Sequence, residues 1–507
     1  MPAHRTVFQA ALLAAAIIVT PPAAAGKRDN TLKVAFDQVP ESIDAYFNNI
    51  RAGVILAHHI WDHLVYRDPK TNEYKPSLAT AWRQVDGNTL EFDLRRGVKF
   101  HNGEPFDADD VVYTLNFVSK PENKSTTQQN VNWIAGADKI DQYKVRIRTK
   151  KPFPAAIEYL AGPLVMYPNE YYARVGPKGM NEKPVGTGPY MVTEYQPGRL
   201  IRMKRNPDYF KDSPKPRATI ENIDVRLIPD RNTQAAELMG GGLDWIYNVE
   251  PDMAKQLKGV PNLSVASGES MRIAFIQMAT DEKSPAPVLK DIRVRKAINH
   301  AIDRPAMLKT VVGETARVLH TVCFPAQFGC SDEGAPRYAY DPAKARALLA
   351  EAGYANGFDI DFYAYRDRQQ IEAIIGYLRA VGIRANLRFM QFVAYRDAVR
   401  EHKAGFGVAT WGSFSVNDVS ASTPVYFKFE ADDVNRDREV RDLLDAGDTS
   451  VKPAVRQVAY KNALKRIAEQ AYAAPLYSLP VNYGFTKDLA FQPYPDELPR
   501  LWEARWK

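Results

Sequence analysis

Between residues 341 and 389 the spacing of apolar side chains changes period three times, and this alternation restricts the fold more than any other feature of the chain. Asp341-Pro342 supplies a helix cap and a first-turn proline. Ala345, Leu348, Leu349 and Ala352 recur at i, i+3, i+4 and i+7, and Gly353 stands where that helix would end. Residues 358–364 then read as a strand, Ile371, Ile374, Ile375 and Leu378 repeat the helical spacing, and Ala385, Leu387 and Phe389 alternate as a second strand. A strand, helix, strand unit builds a parallel sheet, whose ligands gather beyond the carboxyl ends of the strands. Arg366 follows the first of these strands, and Trp411 ends another apolar strand at 406–410. Such a pair makes either an anion clamp and a stacking wall or a surface arginine and a core tryptophan.

The first half of the chain also alternates strand with helix. Residues 32–36 read as a strand and 52–64 as a helix, while 90–94 and 144–148 alternate apolar with charged side chains, the period of half-buried strands. Asp107 is placed to cap a helix over 108–118, and Gly186-Thr-Gly-Pro-Tyr190 marks a crossing turn. At 507 residues the chain holds about three domains at ~150 residues each. Its apolar share of 45% and charged share of 25% are those of a folded protein, and exclude a disordered chain or a polytopic membrane protein. The net charge of +7 is the small difference of 67 basic and 60 acidic residues, too weak to indicate a nucleic-acid partner.

The first 25 residues read as a secretory signal. Arg5 precedes an apolar stretch at 7–19, then Thr20-Pro-Pro and Ala23-Ala-Ala-Gly26, with cleavage predicted after Ala25. The rival reading, a membrane anchor, needs about 20 apolar residues. No cysteine lies near the cleavage site for lipid attachment, so a free periplasmic protein is expected. The two cysteines, Cys323 and Cys330, sit in a Pro/Gly-containing loop. In an oxidising compartment they are expected to pair; the spacing is not C-x-x-C, and two further zinc ligands are not found nearby.

Catalytic signatures are missing: there is no G-x-S-x-G, no G-x-x-x-x-G-K-[ST] and no H-E-x-x-H, which disfavours a hydrolase. His58-His59-Ile-Trp-Asp-His63 is the one metal candidate. On a continuous helix His59 and His63 are one turn apart and can share a transition metal with Asp62 assisting; otherwise they are polar residues on one helix face. These histidines support an alternative function, a secreted metal or haem carrier.

The segment Leu90-Glu-Phe-Asp-Leu-Arg-Arg-Gly-Val-Lys-Phe-His-Asn-Gly-Glu-Pro-Phe-Asp-Ala-Asp-Asp-Val-Val-Tyr113 resembles the hallmark of family 5 extracellular solute-binding proteins, the peptide-, nickel- and opine-type receptors of ABC importers. Val185-Gly-Thr-Gly-Pro-Tyr190, Asp291-Ile-Arg-Val-Arg-Lys-Ala-Ile-Asn-His-Ala-Ile-Asp303 and Asp341-Pro-Ala-Lys-Ala-Arg-Ala-Leu-Leu-Ala-Glu-Ala-Gly-Tyr354 extend the resemblance in order along the mature chain. It implies an α/β bilobal periplasmic-binding-protein fold of class II type with an additional inserted domain. One lobe would comprise 26–70, 185–267 and 476–507, the inserted domain 71–184, and the other lobe 268–475. It also implies a monomer that closes on a small organic solute, peptide or peptide-like first, and hands it to the permease subunits, with no cofactor and no covalent chemistry. His101 and Asp107 then belong to the architecture of the inserted domain.

The family's ligand residues carry over in part. Arg366 matches the arginine that grips a ligand carboxylate in peptide-binding members, with Arg368 beside it. Those members place an aspartate for the ligand amine three residues after the cleft tryptophan; here Phe414 stands in that position, and the nearest acid follows in Asn417-Asp418. A buried ammonium without a carboxylate costs several kcal/mol, so Asp418 would have to substitute or the ligand lack an amine there. Phe414 and Trp411 would favour an apolar, aromatic or sugar-like moiety. Tyr46 and Phe47, in the first strand-to-helix loop, read as cleft walls or as ordinary loop packing.

Overall fold

A computed structural model describes residues 26–507 except 39, 41 and 49, and except the side chain of residue 414. The signal-peptide reading of residues 1–25 lies outside the described residues. Three main sheets organise the chain. A seven-stranded sheet takes its strands in the order Leu263–Gly268, Val481–Thr486, Trp245–Tyr247, Thr31–Phe36, Asn222–Leu227, Leu200–Arg205 and Tyr190–Gln196. A four-stranded antiparallel sheet is formed by Ala79–Asp86, Thr89–Leu94, Lys144–Thr149 and Ile134–Asp141, in that order. A five-stranded sheet runs Ile383–Phe389, Phe358–Ala364, Phe406–Trp411, Ile273–Met278 and Ala473–Ser478. The chain passes between the seven- and five-stranded sheets twice, after Gly268 and after Ser478. Leu476, Tyr477 and Ser478, grouped with the first lobe from the resemblance, lie in a strand of the five-stranded sheet.

The strand, helix, strand unit forms as its spacing dictates. Phe358–Ala364 pairs in parallel with Ile383–Phe389, and the intervening helix Arg368–Ala380 buries Ile371, Ile374, Ile375 and Leu378. Asp341 caps Pro342–Glu351 by accepting from Lys344 N, and Asp107 and Asp110 form a reciprocal capping box at the start of Ala108–Val118. Cys323 and Cys330 form the disulfide, with Cα atoms 5.7 Å apart.

One helix is shorter than its apolar spacing predicts. The helix expected over 52–64 runs as Arg51–Ile60. Its last carbonyls are taken by donors from elsewhere: Ile60 O accepts from Gly188 N at 2.9 Å, and His58 O and Trp61 O accept from Lys215 Nζ at 2.8 and 3.1 Å. Gly186 is required at this crossing, because a Cβ there would lie 2.0 Å from Ile60 O. His101 secures the same turn, its ring nitrogens meeting Gly188 O at 3.0 Å and Gly186 N at 3.2 Å.

Candidate ligand-binding site

A cavity of about 540 Å³ opens between the four-stranded-sheet region and the five-stranded sheet, within the size range of small-molecule sites. One wall is built on the helix Phe392–Arg400, which turns Phe392, Tyr395, Arg396, Val399 and Arg400 toward it at i, i+3, i+4, i+7 and i+8. Strand Phe406–Trp411 adds Thr410 and Trp411. The rings reinforce one another: Tyr365 lies 5.1 Å from Phe392 and 4.9 Å from Tyr395, and Trp411 meets Tyr426 edge-on at 6.2 Å. Trp411 is oriented by its indole N–H, which donates to Ala421 O at 2.7 Å. The opposite wall carries the amides Gln128, Gln129, Asn130 and Asn132 around the short helix Gln128–Val131, flanked by Phe153 and Tyr159. The cavity therefore offers neutral hydrogen-bonding groups on one side and aromatic surface on the other.

Two of its cations are neutralised by lining acids. Arg400 makes a two-pronged contact with Asp432, at 2.7 and 2.9 Å, and Lys428 pairs with Asp448 at 2.6 Å and with Asp445 at 2.8 Å. Burial works against the Lys428 charge, but these carboxylates outweigh it and hold the ammonium above its usual range.

Of the residues singled out from sequence, Trp411 lines this cavity. Arg366 does not: its Nε contacts Asp367 at 2.5 Å, and it lies near enough to Glu497 and Arg231, from the opposite half, for each to act on the other's charge. Arg368 lies on the surface, paired with Glu372 at 3.1 Å and stacked over Phe389. The reading of Asp418 as an amine partner is corrected: it is buried, and both of its oxygens accept from Arg456 at 2.9 Å, so an incoming ammonium would have to displace a guanidinium. Asn417 is turned to the inserted region, its backbone N–H donating to Glu158 Oε1 at 2.6 Å. Tyr46 packs inside the core with its hydroxyl donating to Val165 O at 2.6 Å, and Phe47 is half-buried against the same core. The Phe414 side chain lies outside the described residues.

The histidine reading is corrected as well. Because the helix ends at Ile60, His63 is not one turn beyond His59 but bridges to Val165. Both ring nitrogens of His59 are occupied, Nδ1 against Ile55 O at 2.8 Å and Nε2 accepting from Leu501 N at 3.2 Å, which leaves no lone pair for a metal. Asp62 is engaged by Lys215 at 2.8 Å. Burial pushes His59 and His63 down to about 3, so both are neutral core residues at physiological pH. Among the described residues no group of three or more His, Cys, Asp or Glu side chains is placed to hold a metal ion. Zinc titrated into the purified protein should give a flat thermogram; a stoichiometric isotherm abolished by His58→Ala would reverse this assignment.

Sequence reasoning missed the junction beside the cavity. Residues 413–418 of the five-stranded half are gripped from the other side: Arg51 donates to Ser415 Oγ at 2.7 Å, Arg67 to Ser415 O at 2.8 Å, and Arg67 Nε pairs with Glu158 at 3.0 Å. Arg51 and Arg272 converge on Glu497, at 2.7 and 3.0 Å. Burial pushes the Glu497 carboxyl up, and these two guanidinium groups more than reverse it, leaving it below the usual range. The disulfide loop buttresses the junction from behind, since Gln327 Nε2 donates to Ser413 Oγ and Val416 O, each at 2.9 Å. Isolated arginines distant in sequence carry no local signal of such a meeting. The wall helix did carry one, in the helical spacing of Phe392, Tyr395 and Val399 beside two arginines.

Residues 73–433 match the family model described as Bacterial extracellular solute-binding proteins, family 5 Middle, well over half of the chain. The chain is a family 5 extracellular solute-binding protein. Glutathione-binding protein GsiB of Salmonella paratyphi A is 30% identical to this family 5 protein over 355 residues, covering 69% of this chain and 67% of its own. Heme-binding protein A of Haemophilus influenzae is 27% identical over 388 residues, covering 70% and 69%. The crystal structure of a dipeptide binding protein from Pseudoalteromonas sp. SM9913, in complex with Met-Leu, superposes with a TM-score of 0.81 at 23% identity, over 94% of this chain and 100% of that one. That likeness is one of fold, and it is the bilobal periplasmic-binding-protein fold expected from the sequence. Family and fold are those of solute-binding receptors.

Proposed function

We propose that this family 5 protein captures a peptide or peptide-like solute in the periplasm and delivers it to the permease subunits of an ABC importer. The observation that carries this reading is the cavity walled from both sides, amides facing aromatic rings, because a ligand held there touches two bodies at once and favours their closed arrangement. In this reading the seven-stranded sheet with its four-stranded insertion is one lobe and the five-stranded sheet the other, hinged at the two chain crossings. Residues 1–25 act as the export signal, removed before folding. The names of the relatives, which include glutathione- and dipeptide-binding proteins, point to the same ligand chemistry.

Mass spectrometry of small molecules released on denaturing the purified protein should yield peptides or amide-rich compounds. Trp411→Ala should weaken the recovered ligand by about 2 kcal/mol, some thirtyfold, by removing a stacking surface, while Trp411→Phe retains most of the affinity. Unchanged binding by Trp411→Ala would remove this cavity from the site. Release of a ligand without amide groups, together with no binding of peptides, would overturn the peptide reading.

A further inference from the structure

We propose that the Cys323–Cys330 disulfide is a thiol-sensitive latch on closure. Intact, it shapes a loop that holds residues 413–421 against both the opposite half and the cavity; reduced by a dithiol, it frees that segment and hastens release of the solute. This rests on the two-lobe reading above and names what regulates it.

The half-cystines are seven positions apart, and the loop between them is bonded to itself. Phe324 N donates to Gln327 Oε1 at 3.2 Å, Gln327 N to Phe324 O at 2.9 Å, and Cys330 N to Gln327 O at 3.0 Å. Two residues of this loop serve as a template. Gln327, 3% exposed, donates from Nε2 to Ser413 Oγ and Val416 O. Phe328 pairs with Asp418 as an isolated bridge, its N–H donating to Asn417 O at 3.1 Å and its carbonyl accepting from Val419 N at 3.0 Å. The templated segment faces two ways. Toward one end, Ser415 and Asn417 meet Arg51, Arg67 and Glu158 of the opposite half. At the other, Ser420 and Ala421 line the cavity, and Ala421 O orients the Trp411 indole. A second route runs through Gly329, at φ 84°, where a Cβ would fall 2.3 Å from the Tyr460 ring; Tyr460 OH in turn donates at 2.7 Å to Asp448 of the cavity wall.

The bridge is approachable at one end, since Cys323 is 1% exposed and Cys330 only partly buried. One thiolate of a dithiol attacks Cys330 Sγ, breaking the S–S bond and releasing Cys323 as a thiolate. The second thiol then displaces Cys330, and the reagent leaves as a cyclic disulfide. Two electrons enter the protein, and the two protons lost by the dithiol end on the two cysteines. Thr321 Oγ1 lies 3.4 Å from Cys323 Sγ, within reach to donate to the departing thiolate. Because the closed loop is short, opening it returns little chain entropy to the unfolded state, so the effect falls on the loop's contacts and not on the whole fold.

Hydrogen exchange of the mature protein, oxidised and after dithiothreitol, tests the latch, with iodoacetamide alkylation confirming two free thiols. Peptides covering 413–421 should exchange about tenfold faster after reduction, the scale of one lost hydrogen bond. Peptides covering strand Phe358–Ala364 should keep their rate, and the radius of gyration of the ligand-free protein should rise. Gln327→Ala, with the disulfide intact, should reproduce both changes. The Cys323→Ser, Cys330→Ser double variant should show them without dithiothreitol and not respond to it. Incubated with a dipeptide library, the oxidised protein should retain members in native mass spectrometry that the reduced protein loses. Free thiols with unchanged exchange at 413–421, or an acceleration uniform across the protein, would overturn the proposal. Retention of no library member in either redox state, with the exchange difference present, would remove the peptide reading and leave the latch standing.

Discussion

Replacing Arg456 with methionine will destabilise the five-stranded half by about 3–5 kcal/mol at neutral pH, because it leaves a buried carboxylate unpaired. Asp418 is 4% exposed and Arg456 5%. The guanidinium donates from Nη2 to both Asp418 oxygens at 2.9 Å, and from Nε to Gly447 O at 2.8 Å. Even with this partner, burial holds the Asp418 carboxyl above its usual range. The sign of the pH effect follows. With its folded pKa raised, Asp418 binds a proton more readily in the folded state, so stability falls as pH rises through the interval between the unfolded and folded values. Without Arg456 that interval widens upward. Urea denaturation should therefore find the Arg456→Met deficit larger at pH 7 than at pH 5. Adding Asp418→Asn, which keeps an acceptor for Ser420 N, should restore much of the loss at pH 7. A deficit independent of pH, with no rescue by the second change, would mean that lost packing over Phe328 and not the unpaired charge is responsible.

Glu158→Ala should have an effect of similar size, about 3–5 kcal/mol, and should also open the molecule. Glu158 accepts from Arg67 Nε at 3.0 Å, from Asn417 N at 2.6 Å and from Tyr74 OH at 2.8 Å, with its side chain 3% exposed and that of Arg67 8%. Its removal takes the nearer carboxylate from the buried Arg67 guanidinium, leaving it Asp496 at 3.8 Å, and frees the Asn417 N–H that ties residues 413–418 to the inserted region. That loop holds Ser413 and Ser415 at φ 46° and 67°, a left-handed backbone costing about 1–3 kcal/mol per residue unless its surroundings impose it. At Ser415 those surroundings include Arg51 and Arg67 of the opposite half, so loosening the junction around Arg67 lets the loop relax and the halves separate. Small-angle scattering of the ligand-free protein should give a larger radius of gyration for Glu158→Ala than for wild type, with Glu158→Gln between them. An unchanged radius with a lowered urea midpoint would restrict Glu158 to a local structural role.

The regular elements were legible because their determinants are local. The cap at Asp341, the spacing of Ile371 through Leu378 and the alternation along 385–389 each concern residues within a few positions of one another, and all three reappear in the fold. The helix beginning at Arg51 is shorter than its spacing for the complementary reason: apolar residues continue past Ile60, but Gly188 and Lys215, far along the chain, take up its final carbonyls. The same shortening undid the histidine set, whose geometry depended on a continuous helix.

By itself, the sequence determined that the protein is an α/β receptor of family 5 with a parallel strand, helix, strand unit, and it put Trp411 at the end of an apolar strand, as either a stacking wall or a core tryptophan. Only the tertiary structure decided which charges are free to meet a solute. Asp418 reads as an available acid until Arg456 is seen against it, and Arg366 reads as an available clamp until Glu497 and Arg231 of the opposite half are seen near it. The physical reason is that helices and caps arise from interactions over a few residues, whereas a side chain's charge is cancelled or exposed by partners that can lie anywhere in the chain, as far apart as Glu158 and Asn417, 259 positions from each other.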